Sequence, residues 1–166
     1  DGFSKTYAMT GWRLGYGIMP APMAQVVAKL QTNATSCTAT FSQMAAVSAL
    51  RGDQSSVDLM TAEFRRRRDA IVDGLRTIPG FSCVRPRGAF YVFPNFSKVY
   101  GKKTASGKKI GNSTELAAYL LEEHKVAAVP GVAFGEDACQ RLSYATSMTN
   151  IVKGIDRIEA AVKALK

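Results

Sequence analysis

Two cations close together constrain this chain more than any other feature. The first seventeen residues read DGFSKTYAMTGWRLGYG. Lys5 sits among small and hydroxyl residues, Ser4 and Thr6. Arg13 follows in a Gly-Trp-Arg-Leu-Gly frame, Gly11 to Gly15. Two like charges repel, so a fold that keeps them near each other needs an anion between them. A phosphorylated aldehyde meets both demands. The lysine amine can condense with the carbonyl, and the planar guanidinium can grip the phosphate with its fork of donors. The plainer alternative is a surface lysine followed by a buried arginine–carboxylate pair.

Composition removes several other classes. With 166 residues, 46% of them hydrophobic, the chain can build a real core. Net charge is +9, which suits nucleic acid, a membrane surface or acidic substrates and does not choose among them. The basic excess is spread out, with two clusters: Arg65 to Arg68, and the pairs Lys102/Lys103 and Lys108/Lys109. Cys37, Cys83 and Cys139 are odd in number and far apart. Disulfides and a zinc knuckle are therefore not expected, and a reducing, cytoplasmic setting is. A single histidine, His124, argues against a multi-histidine metal site, and no metal is expected. No apolar run is long enough to span a bilayer, and no signal peptide is visible. The chain opens inside its first motif and without Met, so a piece of a longer polypeptide is expected.

Periodicity predicts a mixed α and β organisation. Leu14 to Met19 reads as a buried strand stopped by Pro20 and Pro22, and Met23 to Gln31 as a helix. Thr32 to Thr40 reads as a loop. Phe41 to Leu50 reads as a short helix with Ser42 as N-cap, ended by Arg51-Gly52. A long helix is predicted from about Ser56 to Thr77 on the stripe Val57, Met60, Phe64, Ile71 and Leu75. Arg68 projects near that stripe. Its stem can lie on the core with its head in water, or it can bridge to another domain or subunit. Phe81 to Val84 and Ala89 to Phe93 are predicted to pair across Arg85-Pro86-Arg87-Gly88, and Phe96 to Gly111 to form an exposed loop. Asn112-x-x-Glu115 resembles a capping box opening a helix to about His124, with Leu116, Leu120 and Leu121 inward. Short strands are predicted at Ala127 to Val129 and Arg141 to Ala145. A final amphipathic helix is predicted over Asn150 to Leu165. Residues 1–53 read as the end of a larger domain. Residues 54–166 read as a smaller domain entered through the long helix, which could carry rigid-body motion.

A second set of motifs lies downstream: Gly88-Ala-Phe-Tyr-Val-Phe-Pro-Asn95, Val129-Pro-Gly-Val-Ala-Phe-Gly135 and Gln140-Arg-Leu-Ser-Tyr-Ala145. The first, taken alone, reads as core packing. Arg141 opens a strand in which Leu142 and Tyr144 take the opposite phase to Arg141 and Ser143. An arginine placed there can present its fork to a carboxylate, or simply end a strand in solvent.

Taken in order, these motifs resemble one family. Ser4, Lys5, Tyr7, Met9, Gly11, Arg13, Leu14 and Gly15 match S-K-x-[Y/F]-x-M-x-G-x-R-[L/V]-G, the pyridoxal-phosphate lysine signature of class I aminotransferases. GAFYVFP, VPGxAFG and RLSYA are similar to the C-terminal part of the same class, and most of all to its bacterial aspartate branch, some of whose members accept prephenate. The resemblance covers the whole chain. It implies an α/β fold-type I transferase, represented by the end of the large domain and the small domain. It implies pyridoxal 5'-phosphate as cofactor, with Lys5 carrying it, Arg13 on its phosphate and Ser4 assisting. Arg141 would bind the substrate α-carboxylate. Arg87 and Asp1 depart from the usual residues at their positions.

The activity so implied is transfer of an amino group from an amino acid, with aspartate preferred, to a 2-oxo acid. The resemblance also implies a homodimer with its active site at the interface and the Thr32 to Thr40 loop near it. Neither a nucleic-acid nor a membrane partner is implied. Groups that hold the cofactor ring normally precede the lysine, so residues 1–166 alone are expected to be inactive. Two alternatives stand beside this reading: a lyase, decarboxylase or synthase using the same cofactor, and a small basic binding module without enzyme activity.

Overall fold

The computed structural model describes residues 1–166. The chain divides into two compact units, Asp1–Thr61 and Ala62–Lys166, with the boundary inside one long helix.

The first unit is helical. A four-residue helix α1 (Phe3–Thr6) is followed by a 3-10 turn at Thr10–Trp12 and by helices α2 (Ala21–Thr35) and α3 (Thr40–Arg51). Its core is small: Phe3, Met9 and Ala46, with Tyr7, Leu14, Ala45 and Ala49 packed around them. The strand predicted at Leu14 to Met19 does not form. Its backbone meets a partner only at the Gly2–Gly15 bridge, and Ile18 is 92% exposed. A strand exists only through its neighbours, and beyond Tyr16 none is present. The polar stretch after Gln31 is helical rather than looped as far as Thr35. There the side chains of Thr32, Asn33 and Thr35 bond back to the carbonyls of Ala28, Lys29 and Gln31 while the backbone stays helical. Ser42 lies inside α3 and is buried; the N-cap position is Ala39.

The long helix α4 (Ser55–Thr77) supplies Ile71, Val72 and Leu75 to the core of the second unit. Against them pack α5 (Ser113–His124), α6 (Met148–Ala164) and a three-stranded antiparallel sheet. The sheet is ordered β1-β3-β2, with β1 at Tyr91–Val92, β2 at Val129–Pro130 and β3 at Gln140–Ser143. Tyr91 pairs with Ser143 and Val129 with Arg141.

Of the pairing predicted across Arg85-Pro86-Arg87-Gly88, one antiparallel bridge remains, Ser82 with Asn95, whose amide donates to the Ser82 carbonyl at 2.8 Å, while β1 pairs with β3. Side chains of α4 also hold the Phe81–Val84 segment. Arg76 forks onto the Cys83 carbonyl at 3.0 and 2.7 Å. Arg85 bridges Asp69 and Asp73. Arg68 bonds Asp69 and donates to the Pro86 carbonyl, so its head is bound within its own unit rather than in water. Glu63, which accepts from Arg66 and Arg67, has its carboxyl pulled down to about 2.

Helix α5 starts as its sequence requires. The Asn112 side chain accepts from the Glu115 amide at 2.9 Å, while the Glu115 carboxylate reaches back one residue further, to the Gly111 amide. Leu116 and Leu120 are buried; Leu121 faces out. The Phe96–Gly111 excursion is anchored, not free. Phe96, Val99, Thr104 and Ile110 are all buried.

One helix cap should contribute to the acid dependence. Asp137 accepts from the Ser113 hydroxyl at 2.5 Å and from its amide at 3.0 Å, and these bonds hold its carboxyl below the ordinary value. A carboxyl depressed in the folded state stabilises it fully above the unfolded pKa, near 4. That contribution is lost as pH falls through the lower folded value. Asp137→Asn is therefore expected to lower the urea midpoint of unit Ala62–Lys166 at pH 6 and to have a smaller effect at pH 2.5. Equal effects at both pH values would contradict the assignment.

Candidate active site

The Lys5–Arg13 segment is a closed loop. The Asp1 nitrogen donates to the Tyr16 carbonyl at 2.6 Å, the Tyr16 amide to the Asp1 carbonyl at 2.8 Å, and the Phe3 amide to the Leu14 carbonyl at 3.4 Å. These bonds zip Asp1–Phe3 against Leu14–Tyr16. Ser4 and Lys5 therefore leave the zipped arm at the same end from which Arg13 enters it. Phe3 and Met9 plug the loop from within.

The loop is built on strained backbone. Ala8 and Arg13 both adopt left-handed conformations, φ 54° and 52°, which cost a residue with a Cβ about 1–2 kcal/mol each. At Arg13 the left-handed step ends the 3-10 turn and sends its side chain back. One Nη donates to the Thr10 carbonyl at 3.0 Å, and its other donors meet nothing within the chain. Arg13 borders an open cleft of about 750 Å³ lined also by Trp12, Cys37, Thr38, Phe41 and Ser42. Trp12 and Phe41 meet edge to face at 6.1 Å. Lys5 is exposed on α1, and Ser4 is half-buried beside it; neither lines this cleft. An amine, a hydroxyl and a guanidinium with open donors at one end of a loop fit a phosphorylated aldehyde.

Arg141 occupies the other unit. Antiparallel register places it on the same sheet face as Ser143 and Tyr91, while Leu142, Tyr144 and Val92 turn into the core. Its guanidinium carbon lies 4.5 Å from the ring centroids of both Tyr91 and Phe134. It forms no hydrogen bond or ion pair within the chain. The two rings were missed by sequence reasoning. Phe134 stands in the VPGVAFG motif and Tyr91 in GAFYVFP, but nothing in either motif says that they meet at Arg141.

The turn that delivers Phe134 is tightly made. After β2, Gly131–Phe134 forms a 3-10 turn closed by left-handed Gly135. The Gly131 amide donates to the Cys139 carbonyl at 3.0 Å, and its own carbonyl accepts from the Glu136 amide at 3.1 Å. A Cβ on Gly131 would collide with the carbonyl oxygens of Glu136 and Cys139, backbone atoms that cannot step aside. Gly131→Ala is expected to destabilise unit Ala62–Lys166 by about 3 kcal/mol. Urea denaturation measures it, and an unchanged midpoint would contradict this packing.

Cys37, Cys83 and Cys139 are all free thiols, the last two buried, and burial pushes both of those up. His124 bonds the Tyr119 hydroxyl at 3.0 Å beneath the end of α5. No three His, Cys, Asp or Glu side chains cluster as metal ligands would. No helix is long and apolar enough to cross a membrane.

Residues 1–158 match the family model for aminotransferase class I and II. The aspartate aminotransferase of Rhizobium meliloti (strain 1021) is 47% identical over 165 residues, covering 99% of this chain and 40% of the relative. A probable aspartate/prephenate aminotransferase of Rickettsia felis is 44% identical over 161 residues, covering 97% and 39%. The crystal structure of the Rhizobium meliloti enzyme superposes with a TM-score of 0.95 over 99% of this chain and 41% of its own. An aromatic aminotransferase from Pyrococcus horikoshii, 36% identical, gives 0.86 over 98% and 42%. The chain thus spans about two fifths of the length of these relatives, in the mixed α/β fold they share. By its motifs, its fold and its similarity along nearly its whole length, the chain belongs to the class I and II aminotransferase family.

Proposed function

We propose that this chain is the C-terminal part of a pyridoxal phosphate-dependent aminotransferase that moves the amino group of aspartate to a 2-oxo acid. Residues 1–53 end the cofactor-binding domain, and 54–166 form the small domain. The observation that carries the reading is Arg141. A half-buried guanidinium on two aromatic faces, with no anion of its own chain, suits an incoming carboxylate.

Each residue then has a task. Bound pyridoxal phosphate supplies an aldehyde and an electron sink. Lys5 would hold the cofactor through Nζ. With that amine free, the same Nζ would take the proton from the substrate Cα and return it, as general base and then general acid. Arg13 would hold the phosphate with the donors it does not spend on Thr10, and Ser4 would add a hydroxyl. Arg141 fixes the α-carboxylate and so orients the Cα–H bond that breaks. Groups for the cofactor ring come from polypeptide outside residues 1–166, and by family likeness the working form is a homodimer. Residues 1–166 alone are inactive on this reading.

Steady-state assay of the full-length protein with aspartate, 2-oxoglutarate and pyridoxal phosphate tests the proposal. Oxaloacetate and glutamate are expected in equal amounts. Ammonia or carbon dioxide in their place would turn the reading to a lyase or decarboxylase on the same fold.

A further inference from the structure

We infer that Phe134 and Tyr91 are positioning residues that set carboxylate affinity by holding the Arg141 guanidinium in one plane; the inference rests on the reading of Arg141 as the carboxylate site. A guanidinium presents its donors at its edge, while its two faces are weakly hydrated and stack on aromatic rings. Most arginines are aimed by a carboxylate or a backbone carbonyl, which consumes part of the fork. Arg76, Arg85 and Arg68 in this chain are all held that way. Arg141 is not. Its carbon sits 4.5 Å from the Tyr91 and Phe134 centroids, within cation–π range of each, and no acceptor in the chain touches it. The rings orient the group without spending a donor, so the whole edge stays open for a ligand.

The aromatic bed is itself supported. Tyr91 is set by β-pairing with Ser143. Phe134 is delivered by the turn that requires Gly131 and stands edge to face with Phe93, ring centroids 6.0 Å apart and nearly perpendicular. Phe134 and Phe93 both remain substantially exposed, so their rings do little for the core. An exposed aromatic pair beside an arginine with an open fork is explained by what it does for that arginine. The carboxylate is held before and during the chemical step, so loosening the bed should weaken binding far more than it slows that step.

The test uses the full-length protein loaded with cofactor and three substitutions at Phe134, with two readouts. One is the dissociation constant of succinate, an amine-free dicarboxylate, by calorimetry. The other is the split between KM and kcat. Phe134→Ala should weaken succinate and raise KM for both the amino acid and the oxo acid about tenfold, with kcat within about twofold. Phe134→Trp should restore affinity, whereas Phe134→Leu, apolar but without a π face, should not. Succinate binding unchanged in Phe134→Ala, or fully kept in Phe134→Leu, would overturn the inference. A loss confined to kcat would also overturn it. Arg141→Ala separates the two levels. If it abolishes succinate binding while Phe134→Ala does nothing, the carboxylate site stands and the aromatic bed falls. If Arg141→Ala leaves succinate binding intact, both fall.

Discussion

Lys5→Ala in the full-length protein is expected to lower amino transfer by at least about a thousandfold while the protein stays folded. Two losses combine. The cofactor loses the amine that holds it, and the substrate Cα loses its proton carrier. General acid–base catalysis by a placed side chain alone contributes about 10²–10⁴-fold. Lys5 is exposed on a four-residue helix and is no part of the Phe3–Met9–Ala46 core, so its removal should not unfold the unit. Lys5→Arg should be equally inactive, because a guanidinium stays protonated and cannot accept the proton. Rates with aspartate and 2-oxoglutarate measure the effect, with circular dichroism as the check on folding. Activity within tenfold of the parent in either variant would remove Lys5 from the mechanism.

Arg141→Ala is expected to reduce kcat/KM for aspartate by about a hundredfold or more. A bidentate guanidinium–carboxylate contact makes two charge-assisted hydrogen bonds, each contributing about 1.5–3 kcal/mol. Losing two at the lower figure is about 3 kcal/mol, or roughly a hundredfold. No internal salt bridge is broken, since Arg141 has none, so the effect should fall on substrate use and spare stability. Arg141→Lys keeps the charge but loses the fork, and should recover only part of the loss. A melting temperature lowered by several degrees with kcat/KM nearly intact would make Arg141 a structural residue instead.

How far the fold was legible depended on how local its causes are. Helices α4 and α6 were readable because their apolar residues recur at the helical period over many turns. The start of α5 was readable because Asn112 and Glu115 act within one turn. Strand positions at Ala89 to Phe93, Ala127 to Val129 and Arg141 to Ala145 were readable too, but which strand pairs with which was not, because the partners lie far along the chain. The apolar run from Leu14 looked like a buried strand, yet past Tyr16 it has no neighbour to bond. Phe81–Val84 looked like half of a hairpin, yet it keeps only the Ser82–Asn95 bridge, and Arg76 and Arg85 tie it to α4 and leave β1 to β3. The tail of α2 looked like a loop, because bonds from Thr32 and Asn33 back to the helix are a local choice that composition does not decide.

The site divides along the same line. Lys5, Ser4, Arg13 and Arg141 were named from motifs in which several fixed residues stand at fixed spacing. The alternation around Arg141 also told which strand residues turn inward. The left-handed backbone at Ala8 and Arg13 was invisible, since neither residue type favours it. The rings under Arg141 were invisible too, because Tyr91 and Phe134 meet it only through the β1-β3-β2 order and the turn at Gly131.

The most direct test of the whole account is chemical labelling of the full-length protein. The protein is loaded with pyridoxal phosphate, reduced with borohydride so that the cofactor is fixed to the amine that holds it, digested, and mapped by mass spectrometry. A single phosphopyridoxyl group on Lys5 is the expected result, and it would tie the motif, the closed loop and the proposed chemistry to one atom. A folded, cofactor-saturated protein with Lys5 unmodified would contradict the account and leave the basic binding module as the better reading of this chain.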